Sequence, residues 1–369
     1  MIVSFLIMHG FHQNVTNKIF GFSGHFNITQ FSLNNSYQET PLNLNTELYL
    51  NHEKYEEIKH VQEYAHKPGL IKTENEILGI VFKGVGKSFD VENFSEYIVD
   101  GEFIHFKDES YSNEIMISQV IADKLNIAIG EDVVVHFFQN PPRSRKLFVS
   151  GIYETNLSEY YDDKIILGDI NLIRRLNNWP DSLAGGMEVF LSKPSEIAMV
   201  EELINDIIPM DQYAERVSDK YIQVFEWLNL IRRQVNIFLV IILLVVCVNM
   251  ISIILILIME RTQMIGTLKA LGSDNKLIRR IFSFSGMQLL IRGLIIGNVV
   301  GLGVCFLQDY FEIITLNPKD YYMSVVPIGW NWLTVLLLNV LTFITVFLIL
   351  TLPAALIARV QPIKAIKFN

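Results

Sequence analysis

The chain has little with which to carry out covalent chemistry. Only two of its 369 residues are cysteine. Both, Cys247 and Cys305, fall inside apolar runs, which excludes a disulfide framework. No H-E-x-x-H, nucleophile elbow or cysteine cluster occurs, so no catalytic or metal-binding constellation is in view and the chain is not expected to be an enzyme. The stretch Lys83-Gly-Val-Gly-Lys-Ser88 looks like a phosphate loop, but that motif needs a glycine at 81, where Val81 stands. His9 and His12 share a helical face without a carboxylate between them, which suits packing better than a metal. Internal repeats and low-complexity tracts are also missing.

Charge is unevenly missing. From residue 231 onward, 12 Lys and Arg stand against 5 Asp and Glu, a net of +7; the whole chain is −9, which leaves −16 before it. The anionic first part repels nucleic acid and argues against a DNA or RNA role. Between Arg233 and Glu260 there is no charge at all, and the run Val235–Met259 exceeds the ~20 apolar residues needed to cross a bilayer. Its segment Ile237–Ile258 holds 18 Ile, Leu, Val or Phe. At ~0.4 kcal/mol each these favour insertion by about 7 kcal/mol. Leu289–Leu307 and Trp332–Ile357 are two further spans, with Tyr321, Tyr322, Trp330 and Trp332 suited to an interfacial belt. Arg292 lies near the end of its span, where its side chain can snorkel.

Cationic loops are retained in the cytoplasm. The connection 260–285 carries Arg261, Lys269, Lys276, Arg279 and Arg280 and belongs inside. The connection 309–330 has Lys319 against Asp309, Glu312 and Asp320 and belongs outside. The tail 359–369, with Arg359, Lys364 and Lys367, returns inside, while Arg232 and Arg233 are a mild exception. At the amino terminus MIVSFLIM is too short to span. It is expected to be the outer end of a further helix, over 1–18, that either begins upstream of Met1 or is unusually short. A signal peptide does not fit, because no basic region precedes it and no small-residue cleavage site follows.

Residues 19–220 have a mixed pattern. Short β-rich runs at 25–31, 131–138, 146–154, 164–169 and 187–192 read as strands, with NPPR at 140–143 closing a hairpin. Helical spacing places Ile117, Val120, Ile121 and Leu125 on one face of 114–127, and a second helix over 196–208. Tyr221, Val224, Phe225, Leu228, Ile231 and Val235 recur at helical spacing without Gly or Pro, so 221–259 should be one unbroken helix. Gly293, Gly297 and Gly301 recur every four residues on the span 286–308, where small residues let helices approach closely. Packing within the subunit is the expected use, with a subunit interface second. Asn249, near the middle of the apolar run Val235–Met259, either bonds a neighbouring helix or lines a polar path.

The segment E-R-T-x-x-I-G-x-x-x-A-x-G, Glu260 to Gly272, strongly resembles the FtsX-like permease family of ABC transporters. GFHQNVTNKIFGFSGHFNI (10–28), FKGV (82–85), VDGEFI (99–104), EIMISQVIADKLNIAIGEDVVV (114–135), VSGIYETNLSEYYDDKIIL (149–167) and YYMSVVPIGWNW (321–332) resemble its lipoprotein-releasing, Lol-type branch. The resemblance implies an α-helical transmembrane bundle of four helices, the first truncated and the last over 331–358. It also implies a large α+β periplasmic domain between helices 1 and 2. It implies a bacterial inner-membrane location, a second permease subunit, identical or paralogous, and a cytoplasmic ATPase that carries the ATP and Mg. This chain itself would hold no cofactor.

The implied cargo is a lipoprotein, handed to a periplasmic carrier. Glu260, Arg261, Ile265, Gly266, Leu268, Lys269, Ala270, Leu271 and Gly272 correspond to the segment that couples to the ATPase. Ile265, Leu268 and Leu271 would supply apolar contact, and Gly266 close approach. Phe5, Met8, Val245 and Asn249 would line the lipid path between the first two helices. The carrier-binding hairpin of some family members is only Gln139–Arg145 here. A transmitter that controls a cell-wall hydrolase, or an efflux permease of the MacB type, would share the architecture.

Overall fold

The structure is a computed structural model; it describes all residues except 33–38, 74–75, 108–109, 158–159 and 355–369, and no side chain at 319 or 351–354. The chain divides into two compact units. One comprises Val15–Phe225 with Leu316–Ser324, the other Met1–Asn14, Glu226–Thr315 and the chain from Val325 onward.

The first unit is built on a ten-stranded sheet. Its strands run in the order Gln212–Arg216, Phe26–Gln30, Gly186–Leu191, Ile58–Lys72, Ile77–Val85, Ile165–Asp169, Glu114–Ser118, Arg143–Tyr153 and Ile98–Gly101, and the tenth, Asp132–Phe137, pairs with both Ile58–Lys72 and Arg143–Tyr153. Those last pairings complete a circuit of six strands and leave fewer edges to protect. Ile71, Ile80, Phe82, Ile115, Ile117, Val135, Phe137, Leu147, Val149 and Ile166 are buried in this unit's core. The hairpin expected around NPPR joins Asp132–Phe137 to Arg143–Tyr153, with Phe137 opposite Arg143.

The five expected strands all form, and Ile197–Ile207 is helical as expected. The run 114–127 differs from its helical reading. Glu114–Ser118 is a strand, and only Gln119–Leu125 is helix, started by the Ser118 hydroxyl accepting from Ile121 N (3.0 Å) and ended by Asn126 at φ 51°. The reason is burial: Ile115, Met116 and Ile117 are covered on both faces of the sheet, which removes the alternation that marks a strand. Ile58–Lys72, Ile77–Val85 and Gln212–Arg216 are strands that the sequence pattern does not announce.

The second unit takes up the long helix Ile222–Glu260 from Glu226 onward, and the helix is unbroken, as its spacing suggests. The short helix Thr262–Ala270 follows, then the helix Asn275–Phe311 and the last helix Trp332–Ala354. Among the described residues three helices are long and apolar enough to cross a membrane: Ile222–Glu260, Asn275–Phe311 and Trp332–Leu350. Side chains such as Phe238, Val299 and Leu333 stand more than three-fifths exposed, the surface expected of helices that face hydrocarbon. MIVSFLIM belongs to the amino-terminal helix Ile2–Ser23, which continues beyond residue 18. The cationic tail lies outside the described residues.

Candidate functional site

The segment 260–282 folds as helix, turn, helix. Thr262 turns its hydroxyl back on Ile258 O (3.1 Å) and Met259 O (2.7 Å), satisfying carbonyls at the end of the long helix. The short helix Thr262–Ala270 ends in a Schellman turn. Gly272 N donates to Lys269 O and Ser273 N to Leu268 O, both at 3.0 Å, with Gly272 at φ 89°. That left-handed conformation is open to glycine at no steric cost.

Of the residues expected to couple, Ile265 is fully buried and packs with Ile258, Ile278 and Phe282 in the unit's own core. Its side chain is used inside the chain and not offered to a partner. Gly266 is buried beside it, and Leu268 and Lys269 are half-buried. Glu260, Arg261, Ala270, Leu271 and Gly272 are exposed, and so are Lys276, Arg279 and Arg280 on the next helix. Leu271, 79% exposed, is the apolar side chain this segment presents most fully.

Within this chain the glycine stripe does not pack helices together, the first of its two expected uses. A β-carbon at Gly293 or Gly297 would meet nothing within 4 Å, and at Gly301 only Val3 Cγ2, at 3.8 Å. All three glycines instead line a cavity of about 270 Å³ with Met1, Val3 and Asn298. Close approach falls to Gly286, where a β-carbon would lie 2.9 Å from Leu350 Cδ2 and 3.4 Å from Ile254 Cδ1.

Two amides beside that cavity carry a signal that the sequence reading missed. Asn298 donates to Asn339 Oδ1 (2.7 Å) and Asn339 donates back to Asn298 Oδ1 (2.9 Å), while each also donates to a carbonyl one turn earlier, Leu294 O and Val335 O. Lone asparagines within two apolar runs were the available clue, since hydrocarbon offers an amide no partner. Of the expected lipid-path residues, Val245 and Asn249 are exposed one turn apart on the long helix, and Phe5 and Met8 are half-buried on the amino-terminal helix.

The amino-terminal helix is held by backbone as well as by side chains. Gly329 N donates to Leu6 O (3.0 Å), and Leu6 packs with Cys305 and Val335. Gln308 fixes the returning chain by donating to Ile314 O and Val326 O and accepting from Ile314 N. Phe11 meets Trp227 of the long helix edge to face, with centroids 5.3 Å apart. In the phosphate-loop lookalike, Lys83 lies on a central strand and is 2% exposed, its ammonium turned inward. Among the described residues, no three His, Cys, Asp or Glu side chains are grouped so as to hold a metal.

Residues 236–362 match the family described as FtsX-like permease C-terminal. The chain is 22% identical to the lipoprotein-releasing system transmembrane protein LolE of Haemophilus influenzae, over 99% of this chain and 90% of that protein. It is 23% identical to LolC of the same system from Buchnera aphidicola subsp. Schizaphis graminum, over 95% of this chain and 85% of that one. The periplasmic region of MacB from Actinobacillus actinomycetemcomitans covers 58% of this chain and 98% of its own, with 16% identity and a TM-score of 0.38. The chain therefore joins a β-rich domain to an FtsX-like permease C-terminal domain, and along nearly all its length it is similar to transmembrane proteins of lipoprotein-releasing systems.

Proposed function

We propose that this chain is the membrane subunit of an ABC transporter that releases lipoproteins from the bacterial inner membrane toward a periplasmic carrier. Four membrane helices would serve it, the amino-terminal helix being the first. The β-rich unit would stand in the periplasm and the segment 260–282 in the cytoplasm. Hydrolysis of ATP, with its Mg, belongs to a separate ATPase polypeptide. A second permease subunit, identical or paralogous, completes the membrane part.

The observation that carries this reading is the segment between the long helix and the next. A short helix stopped by Gly272 presents Leu271, with the cations Arg261, Lys276, Arg279 and Arg280 outward. Such a patch suits a groove on a soluble motor, with Glu260, Arg261 and Lys269 as the polar rim and Ala270 beside Leu271. Nucleotide-driven closure would push there, turn the spanning helices and expel a bound acyl chain along a path that includes Phe5, Met8, Val245 and Asn249. Each CH₂ withdrawn from the bilayer loses about 0.8 kcal/mol, so acyl chains need an apolar route as well as nucleotide energy.

A second reading, a transmitter that controls a periplasmic hydrolase and moves no substrate, draws on the Phe11–Trp227 contact, which closes the first two helices on each other at that level. Purification of the chain from native membranes separates the two. Release predicts a bound ATPase together with acylated protein, and mis-sorted lipoproteins on depletion. An ATPase without lipoproteins, and normal sorting on depletion, would leave the transmitter.

A further inference from the structure

The β-rich unit buries a complete ion pair that no step of the proposed transport uses. Lys83, on the strand Ile77–Val85, donates to Glu188 Oε1 at 2.7 Å on the strand Gly186–Leu191, and the two side chains are 2% and 3% exposed. The strand Ile58–Lys72 lies between those two, so the pair bridges across it, and its residue Gln62 donates to the other oxygen of Glu188 (2.8 Å). The same ammonium donates to Phe22 O (3.0 Å) in the last turn of the amino-terminal helix, and it stands 4.7 Å from the centroid of the Phe22 ring and 5.7 Å from that of Tyr64. The last carbonyls of a helix have no partner within the helix and carry the negative end of its dipole. Lys83 supplies a buried cation to one of them.

Two further ties end on the same turn. Asn27, with its amide nitrogen toward Ser23 O (2.9 Å) and its oxygen toward Lys220 Nζ (2.8 Å), connects that turn to the residues leading into the long helix. The Ser23 hydroxyl bonds the Tyr161 hydroxyl, which donates to Tyr221 OH at 2.9 Å, one residue before the long helix begins. The end of one helix and the start of another are thus fixed to one sheet by polar groups of defined direction.

We propose that Lys83 and Glu188 are positioning residues of a joint that passes movement of the amino-terminal helix to the β-rich unit. The inference rests on the transporter reading above and names the contact through which that transporter's stroke reaches the sheet. A buried ion pair contributes little net stability compared with apolar residues of the same shape, whereas a pair that bonds a helix terminus in one direction sets position. The joint therefore separates from simple stability by experiment.

The test uses the full chain, co-purified with its ATPase, with an environment-sensitive fluorophore at Met210→Cys, a fully exposed position in the β-rich unit. Lys83→Met with Glu188→Gln removes both charges, keeps the volumes and leaves an acceptor for Gln62, so the double variant is expected to fold, assemble and hydrolyse ATP. Its nucleotide-dependent fluorescence change should fall by about fivefold or more, the scale of a typical coupling between sites. Lys83→Met alone leaves a buried unpaired carboxylate and is expected to lower the melting temperature, and Glu188→Gln added to it should restore melting without restoring the signal. A double variant that keeps the wild-type signal overturns the joint, as does a wild-type complex with no nucleotide-dependent signal. A wild-type signal that depends on Lys83 in a complex releasing no lipoprotein would retain the joint and refute the release reading instead.

Discussion

Gly10 and Gly329 face each other so closely that neither position has room for a side chain. A β-carbon on Gly10 would stand 2.5 Å from Gly329 N and 2.8 Å from Pro327 O, both backbone atoms that cannot rotate away. The contact brings the amino-terminal helix against the chain that leads into the last helix, and it allows the Gly329 N to Leu6 O bond. Gly10→Ala is expected to destabilise the protein by about 1–3 kcal/mol, the usual cost of overpacking. Gly21→Ala on the same helix meets only Tyr97 OH, at an ordinary 3.6 Å, and serves as the control. There the better helix propensity of alanine should hold or raise stability. Thermal unfolding in detergent reads both, and equal melting of the two variants would remove the close contact.

Acid sensitivity should trace to His25. Its ring is 7% exposed and stacks on Phe20 with centroids 4.4 Å apart, and Nδ1 accepts from Leu191 N at 3.2 Å, which requires the neutral ring. Burial, with a smaller contribution from Lys59, lowers its pKa from 6.5 to about 4. The unfolded chain therefore takes up a proton as pH falls below 6.5, while the folded one resists until about 4. Stability is fully present above the higher value and is lost progressively across that window, by about 3 kcal/mol in total. Denaturant midpoints at several pH values should decline from pH 7 toward 4 in the native chain and decline less in His25→Asn. Parallel slopes for the two proteins would exonerate His25.

The paired amides of Asn298 and Asn339 give a prediction about cooperativity. Replacing either with Leu leaves the other's amide oxygen without its donor while its bond to the carbonyl one turn earlier remains, at a cost of about 1 kcal/mol, as interhelical hydrogen bonds in bilayers are modest. The double Leu variant should cost less than the two singles added, because no amide remains unmatched. A double-mutant cycle on unfolding in detergent measures this, and strict additivity would mean that the amides do not pair.

How far the sequence announced these features depends on the range over which each acts. The long helix and the spans were legible because lipid imposes a length and an absence of charge on a contiguous stretch, and a turn such as NPPR is similarly local. Ile58–Lys72 was not legible. Lys59, Glu63, His66 and Lys67 interrupt any apolar alternation, and Pro68-Gly69 reads as a breaker. In the fold three of them have partners outside the strand: the buried Lys67 donates to Asn177 Oδ1 at 2.7 Å, His66 bonds Glu39, and Glu63 accepts from Tyr49 and Ser88. Gly10 is a lone glycine whose reason is Gly329, and Lys83 sits in a stretch that fails as a phosphate loop, with nothing in the sequence to pair it with Glu188. For the stripe Gly293, Gly297 and Gly301 the spacing was visible, but what stands opposite it was not.

The segment that presents Leu271 gives the most direct test of docking, because burial separates its residues into two behaviours. Ile265→Ala removes side-chain volume from a fully buried site and should destabilise the chain by about 2–5 kcal/mol, visible in melting. A bulky residue at Gly266 would strain the same packing. Leu271→Asp changes an exposed position and should leave melting within ~0.5 kcal/mol of the native protein. If the ATPase grips here, the same change should weaken co-purification of the ATPase by about thirtyfold, the effect of losing one interface anchor of 2 kcal/mol. Gly272→Val acts between these, since a β-branched residue at φ 89° is strained and the Schellman turn that aims Leu271 would reopen. Retained binding in both Leu271→Asp and Gly272→Val, with normal melting, would move the docking surface to the cations Arg279 and Arg280 on the following helix.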